Sequence, residues 1–331
     1  MRGGWFRTLL TVTAFFSLTQ WSPAPLVYTP GEGWSYESPS DEGGAEWKRT
    51  RAKDQLDVAR QAFEAQDWKL SIRAAKRVVS AWPISDYAAE ALSLRARSEM
   101  ARGRYERAFK VYQYLIDDHP KSDLYEEALL GQYEIARAFL NGRKVRMWGS
   151  IPVLPSMNKT VEYFEAIIKN GPFSSVASDC QLSIGEAYEN KKEFDLAADA
   201  YATALDRYYD RREVEAEARF RLGMALSNQA MSAEFDQTVT QRAIKAFNDF
   251  TALFPNDPRV PEANGQVEAL RVERARGAYI TAQFYDKRRM NEGALVYYNE
   301  AVALAPNAPF VSEAERRIRE LQAAGGEETE N

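Results

Sequence analysis

Two residue types that dominate enzyme active sites are nearly missing from this sequence. Its 331 residues include one histidine, His119, and one cysteine, Cys180. A Ser-His-Asp or Cys-His arrangement would need His119 as its base, yet this residue directly precedes Pro120, where a histidine commonly faces the negative end of a helix dipole. A lone cysteine forms neither an internal disulfide nor a zinc site of several thiolates. Cys180 is therefore predicted to be a small buried hydrophobe.

No other pattern with catalytic spacing is found. The sequence has no glycine-rich phosphate loop and no paired-histidine metal motif. Acid pairs such as Asp117-Asp118 diverge by about 100° on a helix and seldom form an acid–base couple. We therefore predict a protein that is not an enzyme, with no cofactor, no metal and no small-molecule substrate. A net charge of −5 argues against a nucleic-acid partner, which normally needs a basic face.

A recurring phrase organises the rest of the sequence. Its clearest copy has a small residue at Ala108, an aromatic residue at Tyr112, an aliphatic residue at Leu115 and a proline at Pro120. Offsets of four and three residues put the first three side chains on one face of a helix, and the proline marks where that helix ends. The other copies are Ser71/Ala75/Val78/Pro83, Thr160/Phe164/Ile167/Pro172, Ala197/Tyr201/Ala204/Tyr209, Ala243/Phe247/Phe250/Pro255 and Ala294/Tyr298/Ala301/Pro306.

A second helical pattern precedes each copy, so every repeat is predicted to be a helix-turn-helix unit. A last helix at 311–323 is expected to cap the array by covering its final apolar face. The six pairs of helices are 53–66 with 69–82, 87–101 with 105–118, 123–140 with 159–169, 175–190 with 193–208, 214–231 with 240–254, and 261–286 with 291–304.

The first helices of these units carry a family resemblance. Ile184-Gly185 followed by Tyr188, and the corresponding segment at 222–226, resemble the Leu-Gly-x-x-Tyr element of the tetratricopeptide repeat. The small, aromatic and proline positions of the second helices match the rest of that consensus. The resemblance implies an all-α, right-handed superhelical solenoid of about six tetratricopeptide-like helix-turn-helix units with a C-terminal capping helix, spanning 51–323.

A narrower resemblance rests on the order of the segments. An export-like start, a linker, repeats with stretched turns, the segment 241–250 and a long unit with Phe284-Tyr285 are similar to the BamD-like outer-membrane β-barrel assembly lipoproteins. Unlike them, this sequence has no cysteine after its apolar run. The resemblance implies a periplasmic scaffold that binds unfolded β-barrel substrates and an outer-membrane assembly protein. A periplasmic repeat adaptor for cell-wall or division machinery is the alternative, because it would share this fold.

The ends of the sequence are expected to lie outside the array. Arg2 and Arg7 precede an apolar run at 9–18 that is too short to cross a bilayer. The segment 1–24 is therefore predicted to be a signal peptide or an N-terminal anchor. The Pro-, Gly- and Ser-rich segment 25–50 is predicted to be a flexible linker, and 324–331 a disordered acidic tail. These features predict an exported protein at the periplasmic face of the outer membrane.

First-helix residues that do not pack into the stack are expected to line the inner groove of the solenoid. We count back from the small residue of each second helix, and from Leu130-Gly131 in unit three, where an insertion separates the helices. The resulting mixture of charges and aromatics suits an extended peptide held by several shallow contacts, although each residue alone could simply be solvated. The candidates are Arg60, Glu64, Glu90, Arg97, Tyr125, Gln132, Asp179, Glu186, Glu217, Met224, Arg276, Tyr279 and Gln283.

The insertion at 141–158 is the longest irregular segment inside the array. Its candidate contact residues are Arg143, Lys144, Arg146 and Trp148. Three cations beside a tryptophan and aliphatic residues suit the peripheral surface of a membrane or an acidic partner. The alternative is that the segment folds back over the array and buries Trp148 and Leu154.

Overall fold

The structure, a computed structural model, describes residues 26–29, 33–36, 47–143, 145–147, 151–153, 156–232 and 237–328. The predicted signal segment at 1–24 lies outside them. The helices of the described residues are α1 Ala52–Glu64, α2 Trp68–Ala81, α3 Ala88–Ala101, α4 Tyr105–Asp118, α5 Tyr125–Leu140, α6 Met157–Asn170, α7 Ala177–Asn190, α8 Phe194–Arg207, α9 Arg212–Ser232, α10 Gln237–Leu253, α11 Val260–Lys287, α12 Asn291–Leu304 and α13 Val311–Glu328. The strands are β1 Leu26–Thr29, β2 Gly33–Tyr36, β3 Val145–Met147 and β4 Ile151–Val153.

The second helix of every unit ends at the same point of the phrase. α2, α4, α6, α8, α10 and α12 all end two residues before the proline position. The residue between helix and proline leaves the helical region because the proline ring disfavours that conformation; at His119, for example, ψ is 54°. His119 thus lies at a helix end, as predicted. α8 ends at the equivalent residue although Tyr209 replaces the proline, so packing also sets this boundary.

Five of the turns inside the units contain a left-handed residue. It lies two positions after the end of the first helix and has φ between 59° and 74°. At Gly103 its N–H donates to Met100 O at 2.8 Å, which satisfies a carbonyl of the last helical turn. Glycine adopts this conformation without strain, whereas other residues pay about 1 kcal/mol or more. The turn residues are Gln66, Gly103, Gly142, Lys192 and Arg289.

The packing positions of the phrase form the core. In all six copies the small, aromatic and aliphatic positions are buried, and none exceeds the 3% exposure of Tyr112. Successive helices pack against one another from α4 to α13, as do α1 and α2. These observations confirm the predicted all-α repeat solenoid. Cys180 is also buried, as predicted, and burial raises the pKa of its thiol.

The chain divides into two compact units at Leu94 and Arg95, inside α3. In the first unit, Leu56 of α1 packs with Val78 of α2 and with Leu94. In the second unit, one core cluster joins α8, α9, α10 and α11 around Phe220 and Phe247. A further cluster in the second unit joins α11, α12 and α13.

Two glycines allow a first helix to approach the second helix of its own unit. A Cβ on Gly185 of α7 would lie 2.4 Å from the ring of Tyr201 in α8. A Cβ on Gly223 of α9 would lie 2.7 Å from the ring of Phe247 in α10. Each glycine therefore leaves the space that the aromatic residue of the phrase fills.

Three segments differ from the expectation. The predicted linker contains the antiparallel pair β1–β2, and the insertion contains β3–β4, in which Arg146 is paired with Pro152. Both pairs are rich in β-branched and aromatic residues, which favour strands, and proline is tolerated at the edge of so small a sheet. α13 was expected to end at residue 323 but continues to Glu328, so its two glycines do not stop it; 329–331 lie outside the described residues.

Candidate functional site

A polar face runs across the first helices α5, α7 and α9 of the second unit. We call this face the groove. Tyr133 and Arg137 lie one turn apart on α5, and Asp179, Ser183 and Glu186 recur at spacings of four and three on α7. On α9 the series is Glu217, Arg221, Met224 and Asn228, again with helical spacing. Because each series follows one helical face, neighbouring helices present these side chains side by side.

Two adjoining cavities lie in the groove. The α7–α9 cavity has a volume of about 530 Å³ and is lined by Phe194, Phe220 and Met224 together with polar residues. The α5–α7 cavity has a volume of about 220 Å³ and a mainly polar lining that includes Asp179 and Glu186. Glu217 and Arg221 border both cavities. A third cavity of about 570 Å³ lies at the end of α5, where Tyr133 and Arg137 connect it with the α5–α7 cavity.

Ion pairs link the helices across the groove. Arg137 of α5 contacts Glu186 of α7, with 2.7 Å between Nη1 and Oε2. Arg221 of α9 contacts Glu189 of α7 at 3.2 Å and Glu217 of its own helix at 2.9 Å. Glu217 in turn accepts a hydrogen bond from Arg259, the residue that precedes α11. The charges of the α7–α9 cavity therefore already have partners within the protein.

Two carboxyl groups of the groove have raised pKa values. Burial raises the pKa of Asp179, and the nearby Arg211 and Arg137 only partly oppose this effect. Burial likewise raises the pKa of Glu189, against the attraction of Arg221. Desolvation disfavours the charged form of a carboxyl group. The groove is thus partly shielded from water although it is open.

Four predicted groove residues line these cavities: Asp179, Glu186, Glu217 and Met224. Two candidates of the first compact unit are paired with each other. Arg60 forms a bidentate pair with Glu90, with both contacts at 2.6 Å, and it also contacts Asp57.

Three further candidates are exposed. Glu64 is the last residue of α1, and Arg97 is exposed on α3. Arg276 is exposed on α11 and contacts Glu273 of the same helix at 3.0 Å.

The prediction for Gln132 of α5 is wrong, whereas Tyr125 is half-buried and its place in the groove stays a prediction. Gln132 is fully buried, and its amide donates to Phe109 O at 3.3 Å and to Gln113 Oε1 at 3.0 Å. The hydroxyl of Tyr125 donates to Asn170 O at 2.8 Å. The reason lies at Gly131, where a Cβ would meet Tyr112 of the preceding helix α4 at 2.4 Å. Leu130-Gly131 is therefore not equivalent to Ile184-Gly185, which faces the following helix.

The candidates at the end of α11 are partly packed. The ring of Tyr279 stacks on Phe310 with 5.0 Å between centroids and also contacts Tyr298. Tyr279 belongs to the C-terminal core rather than to an open groove. Gln283 is half-buried one turn further along.

Residues of the groove that sequence reasoning missed include Arg137, Arg221, Arg259 and Asn228. A usable signal existed for Arg221 and Asn228, because they follow the predicted Glu217 and Met224 by four residues each on the same helical face. Arg137 was missed because of the wrong alignment of α5. Arg259 precedes a helix, so no periodicity could indicate it.

The family of the chain follows from comparison with known proteins. The model of the YfiO family, described as outer membrane lipoprotein, matches residues 155–322, just over half of the chain. The chain belongs to this family. A tetratricopeptide repeat model also matches residues 90–122, which include the clearest copy of the phrase. Membership of the family indicates a location in the bacterial envelope.

Solved structures of other repeat proteins are similar to the chain. A tetratricopeptide repeat protein from Bacteroides fragilis is 14% identical over 83% of this chain and 100% of its own, with a TM-score of 0.40. The C-terminal part of a repeat-containing protein from Cytophaga hutchinsonii is 15% identical over 81% of this chain and 88% of its own, with a TM-score of 0.40. YrrB, described as a repeat protein with an unusual peptide-binding site, is 16% identical over 73% and 98%, with a TM-score of 0.36. No significant match to a curated protein is found.

The YfiO match and the repeats identify a tetratricopeptide-type scaffold for protein interaction, and this fold and family are typical of proteins without enzymatic activity. Within the described ranges, no three His, Cys, Asp or Glu side chains come together as a metal site. No helix in the described part of the chain has the length and apolar character needed to span a membrane.

Only one candidate of the insertion has a described side chain. Arg143 donates a hydrogen bond to the hydroxyl of Tyr105 and lies 5.2 Å from the centre of its ring. Arg143 is exposed and also lines the cavity at the end of α5. Lys144 and Trp148 lie outside the described residues, and Arg146 is described only as part of β3.

Proposed function

We propose that this protein is a scaffold of outer-membrane β-barrel assembly. It captures extended, incompletely folded β-barrel segments in the groove, and it docks to an assembly protein through its C-terminal helices at the periplasmic face of the outer membrane. The observation that carries the proposal is the YfiO match at 155–322, because it includes α7 and α9 of the groove as well as the C-terminal helices.

The groove suits a segment that has not yet folded. Its cavities adjoin one another across α5, α7 and α9. An extended chain crossing them would place successive side chains in separate shallow cavities while its backbone meets polar side chains. A folded barrel, whose strands are paired with one another, would not offer such a segment. The geometry therefore favours capture before folding.

Four apolar side chains of the C-terminal helices are exposed. Ile280 and Phe284 lie one turn apart on α11 and are about half exposed, at 55% and 48%. Met290 and Val296 are exposed at 53% and 63% at the start and in the middle of α12. Exposed apolar residues that cluster are typical of protein interaction surfaces, and the helices α11 and α12 that carry these residues pack against each other. We assign this surface to the assembly partner.

Site-specific photo-crosslinking in envelopes tests both assignments. A photoreactive residue at Glu186, in the groove, should crosslink to unfolded β-barrel proteins, and one at Ile280 should crosslink to a component of the assembly machine. A probe at Thr203, which is half-buried and lies outside the cavities, is the control. Cell-wall or division enzymes as the main products at Glu186 would support the adaptor alternative and contradict the proposal.

A further inference from the structure

We propose that the α7–α9 cavity is a subsite for one large, uncharged apolar side chain of an extended polypeptide, with the adjoining backbone held by Asn190 and Asn228. This inference rests on the proposed function, since it specifies what the groove accepts. Three observations support it: part of the cavity lining is apolar, the charged residues around it form ion pairs with one another, and two asparagine side chains line it.

The floor of the cavity is apolar. Phe194 of α8, Phe220 of α9 and Met224 of α9 line it. Phe220 is buried, whereas Phe194 and Met224 are half-buried and present apolar surface to the cavity. The volume of about 530 Å³ falls within the range of roughly 300–1,000 Å³ that is usual for ligand pockets. A large apolar side chain would cover this surface and displace water from it.

The charges around the floor are paired with one another. Arg221 contacts Glu189 and Glu217, and Arg259 contacts Glu217 and Asp257. The guanidinium of Arg259 also lies 4.8 Å from the centre of the Phe220 ring. A charged side chain entering the cavity would have to compete with these pairs and lose its own hydration. The cavity therefore selects an uncharged side chain.

Two side-chain amides line the cavity, those of Asn190 at the end of α7 and Asn228 on α9. Asn190 is exposed and Asn228 is half-buried, and within the described residues neither side chain makes a hydrogen bond. An asparagine amide offers a donor and an acceptor, as a peptide group does. Asn190 and Asn228 can therefore hold the backbone on either side of the inserted residue without reading its sequence.

The neighbouring α5–α7 cavity does not share this preference. It is less than half as large, about 220 Å³, and includes Asp179 and Glu186 in its lining. Glu217 is a third acidic residue of this lining, and the smaller volume and mainly polar lining are unsuited to a large apolar group. We therefore expect apolar selection at the α7–α9 cavity and not at the α5–α7 cavity.

Guest-residue peptides bound to the full chain test the subsite. The probes are fluorescein-labelled peptides of alternating serine and threonine with one central guest residue, and binding is measured by fluorescence anisotropy. The phenylalanine and leucine guests should bind about tenfold tighter than alanine, because their side chains leave water. Aspartate and lysine guests should bind no better than alanine.

Three variants locate the effect. Met224→Trp fills the cavity and should reduce the preference for phenylalanine over alanine to less than about twofold. Asn228→Ala should weaken all guest peptides by a similar factor of about five, since it removes a backbone contact. Met231→Trp is the matched control: Met231 lies on the same helix, is 63% exposed and does not line the cavity, so the preference should remain.

Equal binding of all guests, preferential binding of charged guests, no detectable binding, or an equal effect of both tryptophan variants would overturn the inference. If a segment of the chain itself filled the cavity, no binding of the peptides would be detected. A urea-unfolded β-barrel protein, tested in parallel, separates the two proposals. Capture of this protein without a guest preference would refute the subsite alone, whereas a guest preference without capture would refute the proposed function and leave the subsite intact.

Discussion

The packing face of the second helices and the groove face of the first helices are built from different interactions. On the packing face, Phe164 and Phe247 are fully buried. On the groove face, Arg137 and Glu186 form an ion pair in which each side chain remains about one-third exposed, at 34% and 32%. Close packing depends on shape and penalises any change of volume, whereas a partly exposed ion pair contributes little stability. We therefore expect substitutions on the packing face to affect folding and those on the groove face to affect binding.

The largest expected effect is at Phe247. Phe247→Ala should lower the free energy of unfolding by about 3–5 kcal/mol, because it removes a fully buried ring and leaves a cavity between α9 and α10. Urea denaturation followed by circular dichroism measures the loss. Phe173→Ala is the matched control, since Phe173 is 94% exposed and its removal should change stability by less than about 0.5 kcal/mol. Similar losses at both residues would contradict the difference between buried and exposed faces.

The second expected effect concerns the close approach of helices on the packing face. Gly185→Ala should destabilise the protein by about 1–2 kcal/mol, because the new methyl group would overlap the buried ring of Tyr201. Gly265→Ala provides the contrast, since Gly265 of α11 has open space where its Cβ would lie. This change should stabilise the helix by up to about 1 kcal/mol. Thermal unfolding of the two variants should therefore shift in opposite directions, and shifts in the same direction would refute the steric explanation.

The packing face could be predicted because its constraint is periodic. A residue that must fill the space between helices recurs at fixed offsets, so Ala108, Tyr112 and Leu115 could be placed from spacing alone, and all are buried. The ends of the second helices followed from the prolines in the same way. Helical periodicity and proline stereochemistry are local properties, and both are visible in the sequence.

The groove face could be predicted only in part. Asp179, Glu186, Glu217 and Met224 were found because α7 and α9 keep the repeat spacing. In α5 the alignment on Leu130-Gly131 led to Gln132, which is buried, because the sequence does not show whether a glycine faces the preceding or the following helix. The partners of these residues were also beyond prediction.

The ion pairs illustrate that limit. Arg221 and Glu189 are 32 positions apart, and such pairs depend on how neighbouring helices align. The hairpin β1–β2 was missed for a different reason: the Pro, Gly and Ser content of 25–50 predicted a flexible linker, although β-branched and aromatic residues also occur there. The insertion at 141–158 was predicted only to be an irregular segment.

The third expected effect is a pH dependence at the C-terminal helix. Asp286 of α11 holds Arg317 of α13 through contacts of 2.5 and 2.8 Å and accepts a hydrogen bond from Tyr298. The hydrogen bonds from Arg317 lower the pKa of Asp286. A carboxyl group with a lowered folded pKa contributes its full stability above its unfolded pKa of about 3.9 and loses it as the pH falls towards the folded value.

Asp286→Asn should therefore cost about 1 kcal/mol near neutral pH, and the difference from the unsubstituted protein should shrink as the pH falls below about 4. Urea denaturation at a series of pH values measures this difference. Glu313→Gln is the control, because Glu313 contacts Arg316 of its own helix at the surface and does not join α13 to α11. A cost at Asp286 that does not change with pH would show that hydrogen-bond geometry, rather than charge, holds α13.

The smallest expected effect is in the groove itself. A double-mutant cycle with Arg137→Ala and Glu186→Ala should give a coupling free energy of about 0.2–1 kcal/mol, because both side chains are partly exposed to solvent. The coupling should decrease at high salt, which screens exposed charges. A coupling above about 2 kcal/mol, or one that salt does not alter, would mean that this pair belongs to the stabilising core. If the coupling is weak, Arg137 and Glu186 can separate and pair with groups on a bound segment at little cost in free energy. The groove can then bind a segment without disturbing the fold that supports it.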